Sequence, residues 1–504
     1  MTPNPGRRIA IGMALLVALS GCGAQLATPA GEASAGAEAA AEVEKAIGLV
    51  EAPALASYLD EIGQRLVTSS PDVRRDIEYQ FLIVDMPEPN AFALPGGKVY
   101  VSRGLLALLN GEDELANAVA HEIAHVSARH HLKTAMQQTP FVPVRLATGL
   151  AAGVLELAML PLGGLAAPIR PIESGVALLG AAPGALYLAS YSRGQESEAD
   201  ELGQKFAAAA GWDPAAMSRV MEALTRDQRL HGSDPNRQSF FATHPSTPDR
   251  EQRTRQRAAG LTRGDPPAFA RDRAHFIAAL DGLLVGDSAK GGVVDGNQFL
   301  HADLDFQIAF PGGWKVENGA NNVSAIPADA KPDSAAPFAT LGIAAEGDDP
   351  EAVAKALLAK SRFEPDRAVV PVSLGALHAA RVEGRDRSTR TVYRATVNWI
   401  AYHGLVFQVI AAAPENDYAK YRARLAGVAE SFRPLAQANR ARVVEARLRL
   451  VESRRGETLA ALLERKPGAW KLPAAAAANG LPEGTVFDAA RPVKNALWER
   501  YPRD

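Results

Sequence analysis

The feature that most constrains this chain is a pair of histidines four positions apart, with a glutamate beside the first, in the segment HEIAH at residues 121–125. On an α-helix, positions i and i+4 lie on one face about one turn apart, so both imidazoles can reach one metal ion. Apolar residues precede the motif at Leu115, Ala116, Val119 and Ala120, which indicates a buried helix. Buried histidine and glutamate side chains are costly unless they are paired or bound to metal.

The spacing H-E-x-x-H is typical of zinc sites in which both histidines bind the ion and the glutamate acts as general base. His121 and His125 would then be ligands, while Glu122 would act on a water molecule rather than hold the ion. Chance also produces this short pattern. The alternative is therefore a helix with a solvated His/Glu face and no metal.

A catalytic zinc site takes a third protein ligand and leaves a fourth position open. Downstream, the segment ESEAD at residues 196–200 offers Glu196, with Asp200 about one helical turn later. Glu198 is the competing choice, and on a helix it would point to another face. Spacing alone leaves both glutamates open as the third ligand.

The N-terminus has the layout of a secretory signal, since two arginines precede an apolar run at residues 9–20 that is too short to span a bilayer. The run ends in LSGC, and Cys22 is the only cysteine in the chain. LSGC resembles a bacterial lipobox, which implies a signal peptide at 1–21 and a lipid anchor on Cys22. The following Gly23 favours the outer membrane in that resemblance. The alternative is a plain signal with an incidental cysteine.

The 504 residues suggest roughly three domains, and the chain is expected to have an α+β fold. Residues 22–50 are rich in Ala, Gly and Glu and are predicted to be a flexible tether. The metal-site domain is expected at 51–262, mainly helical with a small sheet. Within it, the apolar stretch 139–189 is predicted to be a flap or a membrane-facing insertion, with a buried helix pair as the alternative. Glu156, Pro161 and Arg170 interrupt this stretch.

The second half of the chain is predicted to contain a linker at 263–296, a small α+β accessory domain at 297–434 and a compact module at 440–496. Shorter patterns in the first half predict strands or strand-to-helix entries at 78–85 and 98–106. The net charge of −3 at pH 7 gives no basic field, which excludes nucleic acid as a partner class.

HEIAH together with ESEAD resembles the CAAX-prenyl-protease and HtpX-type family of zinc metalloendopeptidases. Further similar segments are NAFALPGGKVYVSRGLL at 90–106, EDELANAVAHEIAHVSARH at 112–130, AGWDPAAM at 210–217 and THPSTPDR at 243–250. The resemblance covers about residues 55–260. The lipoprotein signal and the lack of spanning helices point to the periplasmic, BepA-like branch of that family.

The resemblance implies one Zn²⁺ per chain, held by His121, His125 and Glu196, because the family pattern E-x-x-A-D selects this glutamate. Glu122 would be the general base. Asp200 would accept a hydrogen bond from the free ring N–H of a ligand histidine and so fix its tautomer.

His244 and Arg250 match a family element of the form H-P-x-x-x-x-R. His244 could hydrogen-bond the oxyanion of the reaction, or it could occupy the open zinc position at rest and plug the site. Arg250 could orient His244 or a carboxylate. The structural alternative is that His244 starts a loop and Arg250 pairs at the surface.

The segment 440–496 resembles a LysM-type peptidoglycan-binding module with β-α-α-β order. The similar elements are RGETL at 455–459, ANGL at 478–481 and a closing strand before Lys494. Glu457 stands where the module usually has Asp. The alternative is a helical C-terminal cap that binds nothing.

These observations predict a zinc-dependent endopeptidase that hydrolyses unfolded or misassembled envelope proteins at the periplasmic face of the outer membrane. Its expected partners are protein substrates, membrane lipid through Cys22, and peptidoglycan through 440–496. The strand Lys98, Val99, Tyr100 and Val101 could hold an extended substrate by β-addition at its edge. The alternatives are a chaperone or assembly lipoprotein with a structural or autoinhibited zinc site, and a peptidoglycan-cleaving metallohydrolase.

Overall fold

A computed structural model of the protein describes residues 28–138, 191–232, 240–245, 249–319, 322–331, 335–387 and 391–501. The predicted signal peptide, Cys22 and the apolar stretch 139–189 lie outside the described residues. Within the described ranges, no helix has the length and apolarity needed to cross a membrane.

The described helices are α1 (Pro29–Ile47), α2 (Pro53–Ser69), α3 (Arg103–Leu108), α4 (Glu112–Ser127), α5 (His130–Gln138), α6 (Arg193–Ala210), α7 (Ala216–His231), α8 (Phe240–Thr243), α9 (Arg250–Ala258), α10 (Arg273–Ala279), α11 (Pro350–Leu358), α12 (Tyr418–Glu430), α13 (Gln437–Arg440), α14 (Leu459–Arg465) and α15 (Leu472–Asn479). The described strands are β1 (Gln80–Val84), β2 (Ala91–Ala93), β3 (Lys98–Ser102), β4 (Leu284–Val285), β5 (Val293–Asp295), β6 (Gln298–His301), β7 (Phe306–Ala309), β8 (Trp314–Asn318), β9 (Asn322–Pro327), β10 (Phe338–Glu346), β11 (Phe363–Pro365), β12 (Val370–Leu374), β13 (Leu377–Asp386), β14 (Tyr393–Tyr402), β15 (Leu405–Pro414), β16 (Arg433–Pro434), β17 (Val444–Glu452) and β18 (Pro492–Arg500). The chain is thus a mixed helix-and-sheet protein, as an α+β fold predicts.

The described residues divide by their contacts into two units. The first contains the chain up to residue 138, then residues 191–286 and 446–497. The second contains residues 287–445 and the end of the chain from 498. Each unit has its own hydrophobic core.

The first unit places two helices side by side, α4 and α6, and they carry the predicted metal-site residues. Three acidic residues, Glu112, Asp113 and Glu114, begin α4, where they complement the positive end of the helix dipole. A capping box begins α6, because Ser192 accepts from the Gln195 amide and the Gln195 side chain accepts from the Ser192 amide.

Gly203 lets the two helices approach closely. A Cβ at this position would lie 3.0 Å from the Cα and the amide nitrogen of His121. A larger residue would therefore push the helix that carries HEIAH away from α6.

The predicted segment 78–85 contains strand β1, and the segment 98–106 is a strand-to-helix entry in which α3 follows β3, but the prediction that β3 offers a free edge is wrong. β3 is the centre of a three-stranded sheet in the order β1-β3-β2. Val99, Tyr100 and Val101 pair with β1 on one side and with β2 on the other. Lys98 pairs with β1, and its carbonyl accepts from the Leu94 amide. The chain turns at Pro95–Gly97 and folds Ala91–Ala93 back onto β3, which uses the edge that the sequence analysis assigned to substrate.

The predicted tether at 22–50 is wrong for Pro29–Ile47, which form helix α1. Thr28 caps the helix, and Ala39, Ala40 and Val43 on one of its faces are buried. A Cβ on Gly36 would lie 1.8 Å from the Pro95 carbonyl oxygen, so only a glycine fits at this contact. The small side chains that indicated disorder here allow close packing instead.

The predicted linker at 263–296 is also wrong over its first part. Helix α10 buries Phe276 and Ile277 completely in the core of the first unit, and β4 pairs with β17. The C-terminal segment has the predicted order of strand, two helices and strand, namely β17, α14, α15 and β18. Most of it belongs to the first unit rather than to a separate module.

Lys494 joins the C-terminal segment to the rest of the first unit. Its side chain is completely buried, and its ammonium donates to the carbonyls of Ala107 at 2.8 Å and Leu109 at 2.7 Å. These carbonyls lie at the C-terminal end of α3, where a cation is favoured.

The second unit is built around an eight-stranded sheet in the order β11-β13-β14-β15-β10-β9-β8, with β12 paired to β13. All pairs in this sheet are antiparallel. A smaller sheet has the order β16-β7-β6-β5. Helix α12 packs on the sheet through Leu425 and Val428, which belong to its apolar core.

Candidate metal centre

Three segments of the first unit bring their buried polar side chains to one point. Helix α4 contributes His121, Glu122 and His125 from one face, as the i, i+4 spacing requires. Helix α6 contributes Glu196, and the turn after α8 contributes His244. Each of these five side chains is buried.

Four of them, His121, His125, Glu196 and His244, could hold a metal ion, because one donor atom from each lies within 4.8 Å of the others. His121 Nε2 is 3.1 Å from His125 Nε2 and 3.4 Å from His244 Nδ1. Glu196 Oε1 is 3.0 Å from His244 Nδ1 and 3.3 Å from His125 Nε2. Ligands at ~2.0–2.1 Å from a tetrahedral zinc lie about 3.3–3.4 Å apart. The spacing of these donors therefore fits a zinc ion.

The charges around the four donors also fit a dication. Arg250 forms a bidentate ion pair with Asp200, through Nε at 2.8 Å and Nη2 at 2.7 Å. The Nη1 atom of Arg250 lies 2.8 Å from Glu196 Oε2. Asp200 Oδ1 lies 3.1 Å from His121 Nδ1, on the side of the ring away from the cluster. The site thus contains three buried carboxylates, counting Glu122, and one guanidinium. If all three ionise with the histidines neutral, two negative charges remain.

The carboxylates of Asp200 and Glu196 are held ionised. Burial tends to raise the pKa of Asp200, but the neighbouring His121 and Arg250 outweigh it and lower this pKa to about 2. Burial is likewise outweighed at Glu196, whose pKa is lowered well below its usual value by His244, His121 and His125. Ionised carboxylates are the form that binds a metal ion.

The two histidines of HEIAH differ in their proton affinity. Burial lowers the pKa of His121, but Asp200 and Glu196 outweigh this effect and raise its pKa to about 10. Burial lowers the pKa of His125 well below its ordinary value, although Glu196 opposes the shift. A metal ion must therefore displace a proton from His121 when it binds, which makes metal affinity dependent on pH.

Glu122 differs from the other carboxylates because no described side chain forms a hydrogen bond with either of its oxygens, and only the backbone of Ala93 lies within hydrogen-bonding reach. Its Oε1 lies 3.5 Å from His244 Nε2, and burial raises the pKa of its carboxyl despite the nearby His244 and His121. A buried carboxylate with so few hydrogen-bond partners is costly. A raised pKa suits a group that first accepts a proton and then donates it.

Aromatic rings and one further histidine surround the donors, and the sequence analysis gave them no role. Tyr191 stacks on His125 with ring centroids 3.9 Å apart, and Phe240 stacks on His244 with centroids 4.2 Å apart. His130 lies beside His125 on the side away from the cluster. Glu198, the competing choice of ligand, lies 3.2 Å from His130 Nε2 instead of joining the four donors.

The structure therefore brings together seven of the predicted site residues, namely His121, Glu122, His125, Glu196, Asp200, His244 and Arg250. Tyr191 and Phe240 lacked any motif in the sequence that could have identified them. His130 lies five residues after His125, and its signal was the adjacent pair His130 and His131 in this segment.

Part of the chain matches a known protein family. Residues 53–258 match the family model for Peptidase family M48. This segment coincides closely with the range in which the motifs resemble zinc metalloendopeptidases, and the match confirms that resemblance.

The chain is similar to three named relatives over this region. It is 35% identical over 212 residues to the putative beta-barrel assembly-enhancing protease of Vibrio cholerae serotype O1, which covers 42% of this chain and 40% of the relative. It is 32% identical over 210 residues to the beta-barrel assembly-enhancing protease of Escherichia coli strain K12, covering 42% and 40%. It is 32% identical over 194 residues to the mitochondrial metalloendopeptidase OMA1 of Schizosaccharomyces pombe, covering 38% and 50%. The chain thus matches half or less of the length of each relative.

Proposed function

We propose that this chain, whose residues 53–258 form a Peptidase family M48 domain, is a zinc-dependent endopeptidase. One observation carries the proposal: four buried donors within 4.8 Å of one another lie beside Glu122, a buried carboxylate with no side-chain hydrogen bond among the described residues. A site that only held a metal ion would have no need of Glu122.

His121, His125, Glu196 and, at rest, His244 would hold the ion. Three imidazoles and one carboxylate suit Zn²⁺ better than the oxygen-preferring Mg²⁺ or Ca²⁺. When bound, zinc acts as a Lewis acid that polarises the scissile carbonyl and makes water more acidic. Asp200 accepts from Nδ1–H of His121 and so leaves Nε2 of that ring free to face the ion.

Glu122 performs the proton transfers. Its carboxylate takes a proton from the attacking water as the new C–O bond forms, and its carboxylic acid then gives that proton to the amide nitrogen as the C–N bond breaks. No described side chain forms a hydrogen bond with the carboxylate, which leaves it available to the water. Burial raises the pKa of Glu122, which favours the protonated state that the second transfer requires.

His244 closes the site in the resting chain. A catalytic zinc site keeps one position open, whereas His244 Nδ1 lies 3.0 Å from Glu196 Oε1, where a fourth ligand would be. Its turn must therefore move before a substrate can bind. Arg250 supports the closed position, because its Nη1 donates to the Pro245 carbonyl at 3.3 Å.

The substrate class is proposed from the relatives and from the sheet. Two relatives are named for beta-barrel assembly, which suggests unfolded or misassembled envelope proteins as substrates. An extended peptide that adds to this sheet would pair with β2, the outer strand on the side opposite to β1. Such pairing recognises backbone more than sequence, as a protease of unfolded segments requires.

The location and the tail are proposed from the sequence. The lipobox-like LSGC supports a lipid anchor on Cys22 at the periplasmic face of the outer membrane. The strand-helix-helix-strand order supports a LysM-like, peptidoglycan-binding role for residues 440–496.

The second candidate is a chaperone or assembly lipoprotein with a structural zinc site. It is favoured by His244, because structural sites fill all four positions with protein ligands. Glu122 argues against this second candidate, because a structural zinc site has no need of a buried general base.

Cleavage of casein, an unfolded protein, tests the proposal with the full-length chain and Glu122→Gln. We expect both proteins to bind one zinc, while the variant cleaves about 10²–10⁴-fold more slowly, which is the usual worth of a general base. Glu201→Gln on α6 is the matched control, since Glu201 is half-exposed and pairs only with Lys205 in the described structure.

His244→Ala separates the two candidates. If the histidine is a plug, this variant cleaves casein faster than the wild type. Zinc binding without cleavage in the wild type and in His244→Ala would instead establish a structural site.

A further inference from the structure

We infer that His130 and Glu198 position the ligand His125 through a chain of two hydrogen bonds. The inference rests on the proposed metal site, because it assigns to His130 a role towards a ligand of that metal. His130 is a positioning residue in this account, since it touches neither the ion nor the substrate.

The contacts run outward from the cluster to the surface. Nε2 of His125 is one of the four donor atoms, and Nδ1 of the same ring lies 3.0 Å from Nδ1 of His130. His130 Nε2 lies 3.2 Å from Oε2 of Glu198. The two rings meet edge to face, with centroids 4.9 Å apart.

Only one arrangement of protons satisfies both contacts while leaving Nε2 of His125 free for a metal. His125 must carry its proton on Nδ1 and donate it to Nδ1 of His130. His130 must then carry its own proton on Nε2 and donate it to the Glu198 carboxylate. The surface carboxylate thereby fixes the tautomer of His130, and His130 fixes the tautomer and the ring orientation of His125.

A break in the helix makes this contact possible. On a continuous α-helix, residues five apart lie about 140° from each other around the axis, so His130 would face away from His125. The chain leaves the helix after Ser127, and Arg129 adopts φ 54° before α5 begins at His130. This left-handed conformation costs a non-glycine residue roughly 1–2 kcal/mol, so surrounding contacts must hold it.

The surrounding contacts that hold the turn are present on both sides. Arg129 Nε lies 3.2 Å from Oε1 of Glu32 on helix α1. Gln195 on α6 donates to the His130 carbonyl at 3.1 Å and to Thr134 Oγ1 at 3.2 Å. The position of His130 is therefore set by two neighbouring helices as well as by its own.

Each ligand histidine of HEIAH thus has its own support from α6. His121 contacts Asp200, which forms an ion pair with Arg250. His125 contacts His130, which in turn contacts Glu198. One support acts on His121 and the other on His125, so each can be removed without changing the other.

Zinc affinity of the full-length chain, measured by competition with a chromophoric chelator, tests the inference without relying on catalysis. His130→Leu removes the acceptor, and we expect the dissociation constant for zinc to rise ~10–100-fold. His130→Asn places an oxygen where Nδ1 was, and we expect it to restore most of the affinity. A histidine that served only to fill the core would give the opposite order, because leucine fills the space better than asparagine.

Glu198→Gln provides a second variant that cannot fail through the core, since the Glu198 side chain is half-exposed. We expect a smaller weakening of zinc binding, on the order of threefold to tenfold, because Glu198 acts one hydrogen bond further away. Glu201→Gln on the same helix should leave the affinity unchanged.

The outcomes are distinct. Wild-type affinity in both His130→Leu and Glu198→Gln would overturn this inference and leave the proposed function standing. Equal weakening in His130→Leu and His130→Asn would also overturn it, because the acceptor would then be irrelevant. A wild type that binds no zinc would overturn the inference together with the proposed metal site.

Discussion

Arg250→Met should destabilise the metal-free protein severely, because the guanidinium is held between two buried carboxylates of the site. The side chain is 2% exposed and makes three ion contacts of 2.7–2.8 Å with Asp200 and Glu196. Removing one partner of a buried ion pair costs about 3–5 kcal/mol, because the other charge is left uncompensated. For a domain of this size that corresponds to a fall in Tm of roughly 6–20 °C.

The pH dependence of the unfolding free energy provides a second, independent test of this prediction. Arg250 helps to hold the pKa of Asp200 at about 2, below its ordinary value of 3.8. The stabilisation from ionised Asp200 is therefore fully present above about pH 4 and is lost as the pH falls towards 2. In Arg250→Met this pKa rises, so the variant can neutralise Asp200 by protonation. The stability difference between wild type and variant should shrink as the pH falls from 7 towards 4.

Chemical denaturation of both proteins with a chelator present, at pH 7 and pH 5, measures these differences. Arg255→Met is the matched control on the same helix, since Arg255 is 60% exposed and pairs with Glu222 and Glu251 at the surface. We expect the control to change the unfolding free energy by less than about 1 kcal/mol. An Arg250→Met protein as stable as that control at pH 7 would refute the charge argument.

Two further predictions concern the frame of the site. Gly203→Val should weaken zinc binding and lower the unfolding free energy by about 1–3 kcal/mol, because a Cβ would lie 3.0 Å from the His121 backbone and push α4 away from α6. Calorimetry with and without zinc measures both effects. A variant with wild-type zinc affinity would contradict the close approach of the two helices. Lys494→Met should remove a pH dependence: burial lowers the pKa of Lys494 to about 7, so the folded chain loses this proton at a lower pH than the unfolded chain does. Between pH 7 and 9 the unfolding free energy of the wild type should therefore rise by about 2 kcal/mol relative to Lys494→Met, and parallel curves for the two proteins would show that the ammonium stays charged.

The catalytic part of the site could be predicted from the sequence because its determinants are local. HEIAH places two ligands and a base on one face of a single helix, and the pair Glu196 and Asp200 repeats this on α6. The helical periodicity around both motifs needs no information from elsewhere in the chain. The distances between the two helices then follow from the close contact at Gly203.

The missed features depend on contacts between distant parts of the chain. His130 reaches His125 only because Arg129 adopts a left-handed conformation, which no residue preference would predict for arginine. The Ala- and Gly-rich composition of Pro29–Ile47 fits disorder and close packing equally well until Pro95 is placed beside it. Lys494 contacts the Ala107 carbonyl, 387 residues earlier in the chain.

The misassigned edge of β3 has the same cause. A strand with the pattern of Lys98–Ser102 does not reveal whether it is an edge strand or a central one. That depended on the turn at Pro95–Gly97, which brings the short strand β2 alongside.

Titration of zinc into the metal-free protein tests the central claim most directly, with cleavage of casein followed at each addition. The titration compares His244→Ala, in which the proposed plug is absent, with the double variant His244→Ala/Glu122→Gln. We expect cleavage by His244→Ala to rise in proportion to zinc and to stop rising at one equivalent. The double variant should bind that equivalent without cleaving. Zinc bound at one equivalent with no cleavage by His244→Ala, or equal cleavage by both proteins, would contradict the assignment of this site as a zinc peptidase with Glu122 as its base.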